Sequence, residues 1–167
     1  GVPQNVIEQP LIDLGLGDLY SLEFKESKSR SIRGIRTDVE KLENTSKKRY
    51  WKDIKSVILN GGLDNKLEKL IYKVFESLAN AEGIVHGINP DSIHFHEIGA
   101  IDSLVDIVGV CAAINYLNPK KVYCNEPTLG KGFVQTEHGK LSIPTPAVIE
   151  LLRDKKIKVA STLDLIE

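Results

Sequence analysis

The hydrophobic pattern changes period along the chain. In "YSLEFK", Tyr20, Leu22 and Phe24 alternate with Ser21, Glu23 and Lys25, which predicts a half-buried strand. "IRTDVEK" does the same with Ile35, Thr37 and Val39, so the two are expected to pair, with Gly34 suited to a bulge or turn. Before them, "GVPQNVIEQPLIDLGLGD" is punctuated by Pro3, Pro10, Gly15 and Gly17 and supports only a short helix and loop. After them, "LENTSKKRYW" is polar and reads as an exposed connection.

From Trp51 the period becomes helical. Ile54, Val57 and Ile58 predict a short helix stopped at Gly61-Gly62. Leu67, Leu70, Ile71, Val74, Phe75 and Leu78 then recur every three or four residues, an amphipathic helix ending near Gly83 or Gly87. From Ile101 to Leu117 apolar residues occur nearly all round, which predicts a largely buried helix ended by Asn118-Pro119. Three β-like pieces follow, "KVYC", "GFVQT" and "KLSIP", the last two joined by a turn at Glu137-His138-Gly139-Lys140. Thr145-Pro146 opens another helix with a buried stripe of Val148, Leu151 and Leu152, and "IKVAS" is a final strand candidate. Strands and helices mix without strict alternation, so the expected class is α+β, a small mixed sheet with amphipathic helices. The expected organisation is one domain over 1–167, part of a longer two-domain protein, with a possible division into a basic β-rich part (1–50) and a helical and hairpin part (51–167).

Composition narrows this only a little. The 22 basic and 23 acidic residues give a formal charge of −1, which argues against a dedicated nucleic-acid surface. Eleven of those cations, against five acids, fall between Lys25 and Lys55, giving either a solvated face or one that attracts a phosphorylated ligand. Cys111 and Cys124 lack CxxC spacing, which fits a reducing cytoplasm, and the apolar run near residue 110 is too short and interrupted to span a bilayer. With no Met, even at position 1, the chain is expected to be a piece of a longer one.

The candidate chemistry sits in "INPDSIHFHEIGAIDSLVDIVG". An extended Ile93–His96 would send Ile93 and Phe95 into the core and leave His94 and His96 on one face, about 7 Å apart. Such a pair can converge on one ion. Asp102 and Asp106, four residues apart, share one side of the next helix, and Asp102 is near enough to its start to meet free N–H groups. Glu82 and His86 stand in the same relation on the preceding helix. Imidazole with carboxylate suits Zn, Ni, Fe or Mn without choosing among them. Simpler roles fit too: a cap for Asp102, turn residues for His94, His96 and His138, and a structural or exposed His86. Gly130 and Gly132 flanking Lys131 would let a backbone approach a phosphate, though a lone GxG is a weak signal.

The same residues carry a resemblance. "IHFHEIGAIDSLVDIVG" closely resembles the His-Phe-His-Glu-(Val/Ile)-Gly-Ala-(Val/Ile)-Asp-Ser-(Ile/Leu)-Val-Asp signature of the nickel-pincer cofactor nickel insertion proteins, the LarC family. "LGKGFVQTEHGKLSIPTPAVIELLR" resembles that family's second block in the right order. The resemblance is strong from about Leu67 to Ile157 and weaker before it. It implies CTP-dependent insertion of nickel into pyridinium-3,5-bisthiocarboxylic acid mononucleotide, a cyclometallase-type lyase activity in maturation of the lactate racemase cofactor. It also implies nickel as the substrate metal, the mononucleotide precursor and lactate racemase apoprotein or other pathway proteins as partners, a homo-oligomer, and neither membrane nor nucleic acid.

Carried onto this sequence, the metal residues are His94, His96, Glu97 and His138. Asp102, Asp106 and Glu97 are the candidate bases or orienting groups, and Gly130, Lys131 and Gly132 the candidate phosphate-binding residues. Three departures stand out. The family's short strand and acidic, glycine-rich segment before "GVP" is not represented, and "SKKRYWKDI" replaces a loop that is histidine-rich in many members. A Thr-Pro-Thr-Gly element and a C-terminal domain associated with CTP would be expected after Glu167, so CTP with its divalent ion is implied only for the longer protein. A metal-dependent hydrolase using the same donors, and a non-catalytic metal-binding or assembly module, remain open from the residues alone.

Overall fold

A computed structural model describes residues 1–42, 49–95, 100–136 and 138–160. The class is α+β. Helix α1 (Gln4–Asp13) leads through a 3₁₀ turn at Gly17–Leu19 into β1 (Tyr20–Ser29) and β2 (Ile32–Lys41). Strand β3 (Arg49–Tyr50) runs directly into α2 (Trp51–Asn60), followed by α3 (Asn65–His86). A 3₁₀ turn at Pro90–Ser92 precedes β4 (His94–Phe95), then α4 (Ile101–Leu117). Strands β5 (Phe133–Thr136) and β6 (Gly139–Ser142) and helix α5 (Pro146–Asp154) complete the order.

One core cluster draws on α1, α2, α3, β4 and α4. Leu11, Ile58, Ile71, Phe75, Ile93, Ile101 and Val108 are its most deeply buried members. Each such side chain contributes roughly 1.5–3 kcal/mol by leaving water. Trp51, Phe75 and Phe95 form an aromatic spine, with ring centroids 6.4 Å apart at both the Trp51–Phe75 and Phe75–Phe95 steps. Helix α1 lies along α4, where Gly109 leaves room: a Cβ there would come within 3.0 Å of Ile7 Cγ2.

The β1–β2 pair is antiparallel with unbroken register from Tyr20↔Lys41 to Ser29↔Ile32. Only its base meets the core, through Tyr20, Leu22 and Val39. Beyond that only Phe24 and Ser27 on β1 and Asp38 on β2 are half-buried and the rest of the hairpin is exposed, with Ile35 64% accessible. Gly34 is not the turn. It pairs with Ser27 inside the ladder, and the reversal falls at Arg30-Ser31, whose φ values of 46° and 68° are both left-handed. A two-residue turn of that hand matches the strand twist, so pairing continues past the last buried residue.

Helix α3 ends at Gly87, not Gly83, and α4 covers the predicted span. Burial on α4 runs along one broad face, while Val110, Ile114, Tyr116 and Leu117 on the other side are exposed. Its C-terminus is capped by Asn118 in the left-handed conformation, the Asn118 N–H donating to Ile114 O at 3.0 Å.

Three local expectations are corrected. "KVYC" forms no strand: Val122 and Tyr123 alternate in sequence but are exposed, with no neighbouring ladder. In "IKVAS" only Ala160 makes a bridge, parallel to Thr128, and Ser161 lies outside the described residues. The α5 stripe is not buried: Leu151 and Leu152 are half-buried and Val148 is exposed, with Val148 and Leu151 bordering an open groove. Of the connection "LENTSKKRYW", residues 43–48 lie outside the described residues, and its end forms β3 and the start of α2.

Candidate functional site

His94 stands on β4 between two buried anchors, Ile93 and Phe95, as the alternation requires. Strand β4 pairs antiparallel with β3, matching Tyr50 to His94, and Trp51 N–H donates to Ile93 O at 2.9 Å. The His94 ring packs on Tyr50 at 5.3 Å, and Lys52 Nζ lies 5.4 Å from that tyrosine's ring centre. His94 is half-buried: its frame is fixed by the core and its ring lies near the surface. His96 and Glu97 lie outside the described residues.

Asp102 and Asp106 are both exposed on α4, four residues apart on its outer side. Asp106 therefore resolves the cost of a carboxylate on so apolar a helix by reaching water. The residue preceding the helix is Ala100, which offers no side-chain cap. Asp102 Oδ1 accepts the Ser103 N–H at 2.7 Å, so its carboxylate does meet the amino end of the helix.

His138 follows a different support. It sits in the β5–β6 turn, where its own N–H donates to Thr136 Oγ1 at 3.1 Å and the Thr136 hydroxyl donates to Gly139 O at 3.0 Å. This turn brings its ring against His86, with centroids 4.9 Å apart and planes 48° from parallel. His86 is the last residue of α3. There Gly87 turns left-handed at φ 66°, its N–H bonding Ile84 O at 3.3 Å, and Ile88 N–H bonds Gly83 O at 3.1 Å. The paired bonds form a Schellman cap, which fixes the direction of the last side chain. His86 Nε2 lies 3.4 Å from Glu82 Oε2, one turn back.

Glu82, His86 and His138 border a groove of about 460 Å³ between α3, the hairpin and α5. Its walls are apolar, chiefly Leu78, Val85, Val134, Leu141 and Leu151. The sequence pattern pointed to Glu82 and His86 as donors one helical turn apart, near the His94–Asp106 cluster. Their meeting with His138, more than fifty residues on, had no local signal. Among the described residues, no group of three or more His, Cys, Asp or Glu side chains is arranged to hold a metal.

Gly132 adopts φ +110°, which a side chain would strain, and its carbonyl accepts the Ile143 N–H at 2.9 Å. A Cβ at Gly130 would lie 3.1 Å from Ile143 Cγ2. Both glycines thus have a reason in the packing of this loop onto the end of β6.

Comparison with known proteins decides the family. The family model described as nickel insertion protein matches residues 1–165. The chain belongs to the nickel insertion protein family. Family membership reaches back through α1 and the β1–β2 hairpin, well before the strong motif region that begins near Leu67. A provisionally named nickel insertion protein of Synechococcus sp. (strain JA-3-3Ab) is 38% identical over 161 residues, which is 96% of this chain and 41% of that protein. Similarly named proteins of Citrifermentans bemidjiense and Geobacter sp. (strain M21) are 37% and 38% identical over 152 residues, 91% of this chain and 39% of each. The chain thus spans about two fifths of the length of these nickel insertion proteins. No solved structure matches it. No helix among the described residues is long and apolar enough to cross a membrane.

Proposed function

We propose that this chain is the metal-handling part of a protein that inserts nickel into pyridinium-3,5-bisthiocarboxylic acid mononucleotide, using CTP, to mature the nickel-pincer cofactor of lactate racemase. The observation that carries the reading is the family match over residues 1–165, which includes both motif blocks. The finer chemistry rests on the resemblance of those blocks. Forming a nickel–carbon bond requires a ring proton to leave as the metal arrives, so a base must stand beside the metal. His94, His96, Glu97 and His138 are the proposed nickel ligands, and Glu97, Asp102 or Asp106 the base or the group that orients an imidazole. Exposed Asp102 and Asp106 suit a base that passes its proton to water.

Imidazole and carboxylate hold nickel less tenaciously than a thiolate cage, as a metal that must be given up requires. The substrate's phosphate gives the cations of the β1–β2 hairpin and the Gly130-Lys131-Gly132 loop an anionic partner. CTP consumption belongs to the family's C-terminal domain. A homo-oligomer working in the cytoplasm, with lactate racemase apoprotein as recipient, completes the proposal.

The test uses the full-length protein with nickel, CTP and the mononucleotide precursor, with the nickelated product followed by mass spectrometry. Replacing His94 and His96 together by Ala is expected to abolish product while the melting temperature is kept. Product formed at the parental rate would show that the pair is structural.

A further inference from the structure

Away from the histidines, α3 carries Lys66, Lys69 and Lys73 at i, i+3 and i+7, so the three share one face of the helix. They line a groove of about 360 Å³ between α3 and the C-terminal end of α4. There α4 contributes two amides, Asn115 and Asn118, and among the described residues no acidic side chain lines the groove. Lys66 Nζ donates to Asn118 Oδ1, which ties the start of α3 to the end of α4. With its oxygen so held, the Asn118 side chain presents its NH₂ group as a donor. The nearby Asp64 carboxylate is engaged by the Leu67 N–H and the Asn115 amide. Among the described residues, Lys69 and Lys73 have no ion-pair or hydrogen-bond partner. One turn apart, they repel where an acid would attract. Lys120 and Lys121 follow in an exposed segment and raise the local positive charge in a chain whose formal total is −1. Lysines kept only for solubility would need neither concave walls nor the exclusion of acids from them. The remaining wall is apolar, from Leu70, Ile114, Pro119 and Val122.

We propose that this groove binds a small molecule carrying two or more linked phosphate groups on an apolar or aromatic body. From Lys66 to Lys73 the helix rises about 10 Å, a row of charges suited to linked anionic groups rather than to one phosphate. Lysine ammonium groups meet phosphate oxygens as mobile point charges, and the Asn118 amide adds a neutral donor. The body rests against Ile114 and Val122, where it removes exposed apolar surface from water. Asn118 lies about 24 Å along α4 from Asp102, so a ligand held here does not reach the residues proposed for nickel. The site is separate from the insertion site and does not rest on that reading.

The test is calorimetric titration of the chain with inorganic tripolyphosphate, orthophosphate and ATP, without divalent ions. Tripolyphosphate is expected to bind about tenfold more tightly than orthophosphate, and ATP more tightly again. Lys69→Gln/Lys73→Gln is expected to weaken tripolyphosphate about twentyfold, one contact charge in a water-like medium being worth about fivefold. Circular dichroism and melting temperature should be kept, since neither lysine is tied to the fold. Lys156→Gln/Lys158→Gln removes two exposed cations elsewhere and is expected to bind as the parent does. Amide NMR shifts on adding tripolyphosphate should centre on residues 66–73 and 114–122. The site is overturned if the Lys69/Lys73 variant binds tripolyphosphate like the parent, if the Lys156/Lys158 variant loses as much, or if orthophosphate binds equally well. ATP binding no more tightly than tripolyphosphate would overturn the apolar half of the assignment.

Discussion

The alternation at His94-Phe95 makes a quantitative demand on stability. Phe95 is 3% exposed and packs its ring on Phe75, which in turn stacks on Trp51. Phe95→Ala would remove a buried ring and leave a cavity that the rigid α2–α3 contact closes only partly, at a cost of about 3–5 kcal/mol. Phe95→Leu keeps most of the volume and should cost under about 1.5 kcal/mol. His94→Ala, one residue away on the half-buried face, should cost no more than about 1 kcal/mol. Urea unfolding with a slope of roughly 2 kcal/mol/M converts these into midpoint shifts of about 1.5–2.5 M, under 0.8 M and under 0.5 M. Trp51 is the single tryptophan, buried in the same aromatic spine, so its fluorescence reports the transition directly. Equal shifts for Phe95→Ala and His94→Ala would refute the extended geometry that sends the two side chains opposite ways. The assignment of His94 to an accessible face would fall with it.

Two further measurements follow from groups away from the histidines. Burial pushes the Cys111 thiol up to about 11, whereas Cys124 is exposed. At pH 8 a thiol reagent should therefore label one cysteine quickly in the native protein and both after denaturation; rapid labelling of both in the native state would contradict the packing of α4. Asp64, the N-cap of α3, accepts the Leu67 N–H at 3.1 Å and the Asn115 amide at 3.2 Å, and the backbone N–H groups of Leu67 and Lys66 hold its carboxyl below the ordinary carboxylate value. A depressed folded-state value adds stability above the unfolded pKa, and that contribution is lost as pH falls through the folded one. Melting temperature should thus drop more steeply below about pH 4 for the parent than for Asp64→Asn; identical slopes would place that acid dependence elsewhere.

The sequence pattern carried α2, α3 and α4 well because their apolar periods are strong and their ends are clear. Asn118 and Gly87 stop α4 and α3 where a left-handed residue is needed. The turn at Arg30-Ser31 was illegible because neither residue advertises a left-handed φ, while Gly34 did so without using it. "KVYC" and the α5 stripe misled for one shared reason. Alternation and amphipathicity record which residues would be buried if a neighbour came, and here the described residues supply none for Val122 and only an open groove for Val148. The His94 frame was readable from period two alone, whereas the His86–His138 contact depends on where a hairpin folds back, which no local pattern encodes.

Both imidazole positions use one device: the backbone is fixed by buried or capped neighbours while the ring stays near the surface. Among the described residues no polar or charged side chain is buried, so the core is held by apolar packing. Chelator treatment of the protein as purified should then leave it folded, with its melting temperature unchanged. For an ion held by the proposed imidazole and carboxylate ligands with a Kd on the order of 10 µM, 100 µM free nickel adds about 1.4 kcal/mol to the folded state. In a chain of this size that corresponds to a rise of roughly 3–6 °C. The rise should shrink when His94 and His96 are replaced by Ala. A protein that unfolds when treated with chelator, or that nickel stabilises by 20 °C or more on that scale, would hold its metal as a structural element, and an ion bound so firmly could not serve as cargo.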